Sequence, residues 1–203
     1  MLKKQGEDKV MDFAKSETKI NLLRAFAGES QARNRYNMAA EQAKKDNLTV
    51  VENLFNYIAC QEQAHATVFY DHLKEANDEN INICAAYPVN IYSSTLDYLK
   101  AAVHNETEEY EDIYKSFAGI ATEEGFPVIA SSFELIGKIE KVHADKFEMF
   151  AKHLENNTLF ERGTQMYWYC SNCGHIHSGP AAPKVCPVCK KDRGYFLSED
   201  LNK

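Results

Sequence analysis

The sequence predicts a mainly α-helical protein: a four-helix bundle with one long crossover, followed by a small metal-bound domain. Three observations predict this fold. Nine glycines and five prolines are few for 203 residues, which favours long helices. Four helical segments are joined by a short, a long and a short connection. Two C-x-x-C pairs lie close together near the C-terminus, between Cys170 and Cys189.

Composition and charge exclude several classes of protein. Apolar residues make up 44% of the chain, enough for a core, and no apolar run approaches the roughly 18 residues that cross a bilayer. Residues 1–19 lack the apolar stretch of a secretory signal. Residues 1–160 carry 17 basic and 26 acidic side chains, whereas residues 161–203 carry 6 and 4. An acidic body argues against nucleic acid as a partner, and we expect a cytoplasmic protein without a membrane partner.

The first two helices precede the long crossover. Helix one is predicted from about Thr18 to Lys45 and helix two from about Thr49 to Ala76, both with apolar residues at helical spacing. Residues 77–93 mix turn formers, β-branched residues and a proline, so we interpret them as a connection.

The third and fourth helices complete the bundle. The third is predicted to start after Ser93 or Ser94 and to run without interruption to about Glu124, and the fourth from Pro127 to about Asn156. Short connections make antiparallel neighbours, and a single long crossover is the ferritin-like variant of the four-helix bundle. Residues 157–166 are predicted to be a linker, and the predicted domains are 1–160 and 161–203.

Two Glu-x-x-His units occupy alternate helices: Glu62 with His65 on the second, and Glu140 with His143 on the fourth. Residues three positions apart share a helix face, so each unit can present a carboxylate and an imidazole to a metal. One such unit arises easily by chance in a chain rich in glutamate. Two copies on alternate helices indicate a di-metal site in the bundle core.

A di-iron site of this kind also needs an inward glutamate from each of the other two helices. Glu29 and Glu106 are the candidates, because their distances from the turns place them at nearly the height of the Glu-x-x-His units. The separation of Glu106 from Glu140 is one position longer than that of Glu29 from Glu62, so the bundle resembles two copies of one hairpin. The alternative is that these are surface glutamates on amphipathic helices.

Three further residues share the faces of these glutamates. Glu109 follows Glu106 by three positions, and its spacing fits a site residue as well as a solvated member of an acidic run. Tyr36 and Tyr114 follow Glu29 and Glu106 by seven and eight positions. Spacing alone favours core aromatics for both tyrosines.

The C-terminal cysteines Cys170, Cys173, Cys186 and Cys189 predict a tetrathiolate site for either iron or zinc. A zinc ribbon that serves only as a scaffold is the alternative. Nearby aromatics are expected to form a small core: Tyr167, Trp168, Tyr169, Tyr195 and Phe196. Cys60 is expected to be a small buried residue.

In combination these features resemble the rubrerythrin family over nearly the whole chain. The segment Ala25-Phe-Ala-Gly-Glu-Ser-Gln-Ala-Arg33, the two Glu-x-x-His units, Glu106-Thr-Glu-Glu109 and the four cysteines carry the resemblance. It implies a non-haem di-iron peroxidase that reduces hydrogen peroxide to water and protects an anaerobe from oxidative stress. The C-terminal domain would be rubredoxin-like and hold one iron, for which zinc can substitute in a purified sample.

The resemblance also implies residue roles. Glu62 and Glu140 would bridge two irons, Glu29 would be a terminal ligand of one, and Glu106 with His143 would be terminal ligands of the other. His65 and Glu109 would alternate at the first iron, and Tyr36 and Tyr114 would hydrogen-bond ligand carboxylates. The implied partners are an external electron donor, either rubredoxin or an NAD(P)H-dependent reductase system, and a second subunit in a head-to-tail dimer. The alternative function is iron handling by a ferroxidase, although iron storage needs no electron input.

Overall fold

The structure is a computed structural model that describes residues 11–202. Residues 1–10 and residue 203 lie outside the described residues. Residues 1–10 belong to the first predicted domain and to the segment examined for a secretory signal, and residue 203 belongs to the second predicted domain. The helices are α1 (Glu17–Lys45), α2 (Thr49–Asp71), α3 (Thr95–Glu108), α4 (Tyr114–Glu123) and α5 (Pro127–Glu155). The strands are β1 (Glu161–Cys170), β2 (Ile176–Ala181) and β3 (Phe196–Ser198).

The helix ends follow local chemistry. The Ser16 and Ser94 hydroxyls accept hydrogen bonds from backbone amides in the first turns of α1 and α3. Pro127 occupies the first turn of α5, where its missing amide hydrogen costs nothing. Asn47 and Gly125 end the preceding helices with positive φ angles of 58° and 87°. The predicted helix order is therefore confirmed, although α2 ends at Asp71 and is followed by a short 3₁₀ turn, Lys74–Ala76.

The predicted third helix is not continuous. A π-helical turn, Glu109–Ile113, separates α3 from α4, so the expectation of an uninterrupted helix was wrong. A π turn accommodates one extra residue while the helix axis continues. Spatially, α3, the π turn and α4 still act as the third helix of the bundle, with α3 and α4 both packed on α5.

The crossover passes along α1 and α3 and is fastened at several points. The Tyr87 hydroxyl donates to the Arg24 carbonyl (2.8 Å), and the Arg24 guanidinium donates to the Cys84 carbonyl (3.0 Å). Asn90 Oδ1 accepts from Arg35 and from Asn105, each at 3.0 Å. These bonds hold an irregular segment against two helices that carry the predicted glutamates.

The C-terminal segment forms a three-stranded antiparallel sheet in the order β2-β1-β3. Because β1 begins at Glu161, the prediction that residues 157–166 form a linker was wrong for their second half. Trp168 and Phe196 are fully buried as expected, and the Trp168 indole donates to the Gly179 carbonyl (3.0 Å). Tyr167, in contrast, is 51% exposed and lies outside the small core.

This C-terminal module packs against the turn between α1 and α2. A Cβ atom on Gly194 would lie 2.1 Å from the Asn47 carbonyl oxygen, so this approach of two backbones requires glycine. Leu159 and Leu201 extend the apolar core of that end of the bundle. The predicted domain boundary, between residues 160 and 161, stays a prediction. Within residues 11–202, no helix has the length and apolar character that a bilayer-spanning segment needs.

Candidate metal centres

Six of the predicted side chains converge in the centre of the bundle, and all six are buried. They come from four helices: Glu29 from α1, Glu62 and His65 from α2, Glu106 from α3, and Glu140 and His143 from α5. Potential ligand atoms of Glu29, Glu62, His65 and Glu140 lie within 4.8 Å of one another. The same holds for Glu62, Glu106, Glu140 and His143. The two sets share two carboxylates.

The shared carboxylates, Glu62 and Glu140, each face both histidines. His65 Nδ1 lies 2.9 Å from Glu140 Oε1 and 3.4 Å from Glu62 Oε2. His143 Nδ1 lies 2.8 Å from Glu140 Oε2 and 3.1 Å from Glu62 Oε1. Each carboxylate thus offers one oxygen to either set. This is the geometry required of a carboxylate that bridges two cations.

The tyrosines connect opposite hairpins. The Tyr36 hydroxyl donates to Glu106, and the Tyr114 hydroxyl donates to Glu29. Each glutamate outside the shared pair therefore has one oxygen held by a tyrosine from the other half of the bundle. The spacing of the tyrosines had favoured a core role, and both are buried in the core as well.

Aromatic groups close the cluster at both ends. One group packs Phe55, Phe147 and Tyr36, with ring centroids 5.1–6.0 Å apart. The other packs Phe69, Phe133 and Tyr114, at 5.0–6.0 Å. The phenylalanines lie seven positions before and after Glu62 and Glu140, and all four are fully buried. The polar cluster thus lies between two apolar layers.

Many of the buried polar atoms of this cluster approach one another but form no hydrogen bond. Eight nitrogen and oxygen atoms of the six side chains form no hydrogen bond: Glu29 Oε2, both oxygens of Glu62 and of Glu140, Glu106 Oε2, and Nδ1 of His65 and His143. Such atoms are costly unless something binds them. Carboxylate and imidazole donors in this arrangement fit a pair of iron ions.

The protonation of the cluster follows from burial and proximity. Burial and the neighbouring carboxylates raise the pKa of Glu29 and of Glu106 well above the ordinary value. Burial opposes ionisation of Glu62, but the imidazoles of His143 and His65 outweigh it and lower its pKa to about 2. Burial likewise disfavours the imidazolium of His143, yet nearby carboxylates raise its pKa to about 12. Without cations, protons therefore neutralise part of this charge.

Gln61 was not identified from the sequence. Its side-chain oxygen accepts a hydrogen bond from His143 Nε2 at 3.0 Å. With Nε2 carrying the hydrogen, Nδ1 is the nitrogen that faces the carboxylates, so Gln61 fixes both the tautomer and the ring orientation. No sequence signal distinguishes Gln61 from the other glutamines, because this contact depends on the distance between α2 and α5.

Glu109 lies beside the cluster and not in either set. It is half-buried at the start of the π turn, and it lines a cavity together with Tyr114. Burial and the charges of Glu140 and Glu62 raise its pKa well above the ordinary range. His65 and Glu109 are expected to alternate as ligands of one ion. In this structure His65 is the member of the first set.

The sequence held a signal for the π turn. Tyr36 follows Glu29 by seven positions, whereas Tyr114 follows Glu106 by eight, although both tyrosines make equivalent bonds. The difference of one residue between the two halves is the residue that a π turn inserts. The same residue explains why Glu140 lies one position further from Glu106 than Glu62 does from Glu29.

The four C-terminal cysteines form the second candidate centre. Their sulfur atoms lie within 4.8 Å of one another, with Cys170 and Cys189 3.7 Å apart and Cys173 and Cys186 also 3.7 Å apart. A tetrahedron with metal–sulfur bonds of about 2.3 Å has edges of about 3.8 Å. The sulfurs are thus spaced for one tetrahedral metal and are too far apart for disulfides.

Two matching turns present the cysteines. The Gly174 amide donates to the Cys170 carbonyl (2.8 Å), and the Lys190 amide donates to the Cys186 carbonyl (3.0 Å). Gly174 and Lys190 both have positive φ angles, of 74° and 64°. The Lys191 amide lowers the pKa of the Cys189 thiol to about 6. Amides that point at sulfur in this way stabilise thiolates.

The expectation that Cys60 is buried was wrong. Its side chain is exposed on α2. Cys60 precedes Glu62 by two positions, and residues two apart on a helix point in different directions. The burial of Glu62 in the bundle core therefore leaves Cys60 on the outer face.

Comparison with protein families gives two matches. A family model described as Rubrerythrin matches residues 21–151. A second, described as Rubrerythrin, rubredoxin-like domain, matches residues 168–197. These two ranges contain the two candidate centres.

Comparison with individual proteins agrees. The chain is 42% identical over 189 residues to Rubrerythrin-1 of Clostridium acetobutylicum, which covers 91% of this chain and 96% of that protein. It is 41% identical over 187 residues to the rubrerythrin of Nitratidesulfovibrio vulgaris, covering 92% and 96%. Among solved structures, fully reduced nigerythrin superposes with a TM-score of 0.60 at 24% identity, covering 98% and 96%. A Desulfovibrio desulfuricans bacterioferritin superposes with a TM-score of 0.61 at 24% identity, covering 70% and 82%. At these identities the two structures support the ferritin-like fold alone.

Proposed function

The chain belongs to the rubrerythrin family, a family with a di-iron site and a rubredoxin-like iron site, and on that premise we propose that it is a peroxidase. Its reaction would be the reduction of hydrogen peroxide to water, for oxidative-stress protection in the cytoplasm of an anaerobe. The observation that carries the proposal is the pair of ligand sets that share Glu62 and Glu140. Two ferrous ions held there would supply together the two electrons that cleavage of an O–O bond requires.

Each side chain of the cluster has a role in this proposal. Glu62 and Glu140 would each help to hold both ions, because each offers one oxygen to either set. Glu29 and His65 complete the first set, and Glu106 and His143 complete the second. Tyr36 and Tyr114 hold the free oxygens of Glu106 and Glu29, which fixes the direction of the remaining oxygen toward the ion.

Glu109 is proposed to alternate with His65 as a ligand of the first ion. A carboxylate that moves onto an ion neutralises the positive charge that oxidation adds. The raised pKa of Glu109 is consistent with a neutral carboxyl group beside the cluster, from which a proton leaves when the side chain binds a cation. The π turn supports this role, because such turns frequently occur at functional sites.

Replacing Glu109 with Ala is expected to leave the metal content near normal, because six other side chains of the two sets remain. Turnover of peroxide should fall by about tenfold or more, since the charge added on oxidation is no longer neutralised. Metal analysis and steady-state kinetics give the two readouts. Glu111→Ala is the matched control, because Glu111 lies in the same π turn but is exposed. An unchanged rate would indicate instead that Glu109 is a solvated member of the acidic run, without a role in turnover.

Electrons are proposed to enter through the cysteine module. An iron bound by four thiolates is a one-electron centre, so it would have to deliver twice per turnover. The donor would be rubredoxin or an NAD(P)H-dependent reductase system. The exposure of Cys173 and the half-burial of Cys189 support access by such a donor.

The working unit is proposed to be a homo-oligomer, a head-to-tail dimer. In the chain itself, the module packs on the turn at Asn47, beyond the C-terminal end of α1 and several helical turns from Glu29. At a rise of about 1.5 Å per residue, Asn47 and Glu29 lie about 27 Å apart along the bundle. A single electron transfer over such a length is slow. A second subunit that places its own module near the cluster would shorten the path.

The proposed activity is tested by comparing two oxidants. Protein reduced under anaerobic conditions should be oxidised by hydrogen peroxide at least about tenfold faster than by dissolved oxygen at equal concentration. Stopped-flow spectra of both iron centres measure the rates. Faster oxidation by oxygen, with uptake of additional ferrous iron, would overturn the peroxidase and favour the ferroxidase.

A further inference from the structure

A cavity of about 410 Å³ lies between α1, the crossover and the π turn. Helix α1 contributes Ala25 and Gly28, the crossover contributes residues 85–88, and the third helix contributes Glu109 and Phe117. The volume falls in the range of about 300–1,000 Å³ that is typical of sites for small organic molecules.

The cavity adjoins the di-metal cluster. Its lining includes Glu109 and Tyr114, and Tyr114 donates its hydroxyl hydrogen to Glu29. Gly28 and Asn105, which also line it, immediately precede Glu29 and Glu106 in the chain. A molecule bound here therefore lies against the side chain that is proposed to move during turnover.

The cavity is larger than hydrogen peroxide needs. A water molecule accounts for about 30 Å³ of the liquid, so hydrogen peroxide, with two oxygens, needs roughly twice that volume. Much of the remaining wall is apolar, with Ala25, Ala85, Ala86, Pro88, Ile113 and Phe117. Such a wall gains free energy by burying a hydrocarbon group and none by holding additional water.

The charges of the wall restrict the ligand further. Glu108 and Asp112 line the cavity, against a single basic residue, Arg24. The Arg24 guanidinium is already bonded to the Cys84 carbonyl and paired with Glu17. An anionic ligand would meet uncompensated negative charge, whereas a neutral one would not.

The outer wall is held in place. Tyr87 is bonded to the Arg24 carbonyl, and a Cβ atom on Gly28 would lie 3.6 Å from the Tyr87 ring. Asn90, two positions after Pro88, is bonded to α1 and α3 through Arg35 and Asn105. The cavity is thus formed before a ligand arrives, which lowers the entropic cost of binding.

We propose that this cavity binds the hydrocarbon group of small neutral organic hydroperoxides, and that the protein reduces them as well as hydrogen peroxide. The inference rests on the proposed peroxidase function and extends its substrate class. In this reaction the O–O bond of R–O–O–H breaks, two electrons and two protons are consumed, and R–OH and water leave. Two ferrous ions held by the six cluster residues would supply the two electrons. The external one-electron donor restores the two electrons in two deliveries through the cysteine module.

Ala86→Trp tests the proposal, because it fills the cavity from an exposed wall that carries no residue of the cluster. The rate constant kcat/KM for cumene hydroperoxide should fall by about tenfold or more, while that for hydrogen peroxide stays within about twofold. Val89→Trp is the matched control, since Val89 lies in the same segment, is 83% exposed and does not line the cavity. It should alter neither substrate.

A second readout needs no bound metal. The alcohol product, 2-phenylpropan-2-ol, should bind to the metal-free wild-type protein and to the Val89→Trp variant, and lose binding to Ala86→Trp, as measured by saturation-transfer NMR. Equal effects of Ala86→Trp on both peroxides, undiminished binding of the alcohol, or wild-type protein that reduces hydrogen peroxide only, would overturn the inference. Wild-type protein that reduces neither peroxide would instead overturn the proposed peroxidase itself.

Discussion

When a Cys173→Ser chain is mixed with a Glu62→Ala chain, donor-driven peroxide turnover should reappear, although each variant alone is inactive. The first chain lacks a complete cysteine site, and the second lacks a shared carboxylate of the di-metal cluster. In a head-to-tail dimer, the intact module of one chain serves the intact cluster of the other. Random exchange makes half of the dimers mixed, each with one complete path, so about a quarter of wild-type activity is expected.

A reciprocal mixture separates the two possible paths. A chain that carries both Cys173→Ser and Glu62→Ala is mixed with wild type. If electrons pass between chains, the mixed dimers are inactive; if they pass within a chain, each mixed dimer keeps one active site. Mass spectrometry verifies the subunit exchange, and circular dichroism verifies that Glu62→Ala remains helical, with Glu62→Gln as the substitute if it does not. No recovery in the first mixture after verified exchange would contradict the inter-chain path.

The free energy of unfolding of the metal-free protein should fall as the pH rises, by about 3 kcal/mol or more between pH 5 and pH 8. Glu29 and Glu106 have pKa values raised above 4.5 in the folded state. Their contribution to stability is therefore complete below pH 4.5 and is lost as the pH rises toward the folded-state pKa values. The pKa of His143 is raised from 6.5 to about 12, so its contribution is complete below 6.5 and is lost toward 12. Both effects have the same sign.

Among the six cluster residues, Glu62 acts in the opposite direction. Its pKa is lowered from 4.5 to about 2, so its contribution is present above 4.5 and is lost as the pH falls toward 2. The metal-free protein should therefore be most stable in mild acid. The loaded protein should not follow this trend, because deprotonated ligands bind metal more tightly.

Urea unfolding of chelator-treated and metal-loaded protein at several pH values measures the difference. A Glu29→Gln, Glu106→Gln double variant is the control, since it removes two of the titrating groups and should flatten the metal-free curve. Parallel pH dependence of the loaded and metal-free proteins would show that the cluster does not exchange protons for cations.

Much of the bundle could be predicted because its signals are local. The helices follow from apolar periodicity, and their ends follow from residues such as Ser94, Pro127 and Gly125. These signals act within one segment and do not depend on the other helices. The fixed rise of an α-helix places Glu29 opposite Glu62 once the turn is known. The cysteine site is local too, since each knuckle is formed by backbone bonds within a few residues.

The π turn was predictable in principle but was missed. Its trace in the sequence is the one-residue difference between the two halves, seen at Tyr36 and Tyr114. A single insertion in a helical pattern does not say where it is accommodated. That place is decided by packing, because Tyr114 must reach Glu29 while Glu106 keeps its position in the second set.

The sequence by itself thus determined most helix boundaries, the heights of the six cluster residues and the four cysteines of the second centre, because each depends on contacts or geometry within one segment. Only the tertiary structure decided the orientation of His143 by Gln61, the place of Glu109 and the seating of Gly194 on Asn47. The cavity belongs to the same group, since its walls come from three separate stretches of chain. Distances between such stretches depend on how whole helices pack, and no local pattern of residues encodes them.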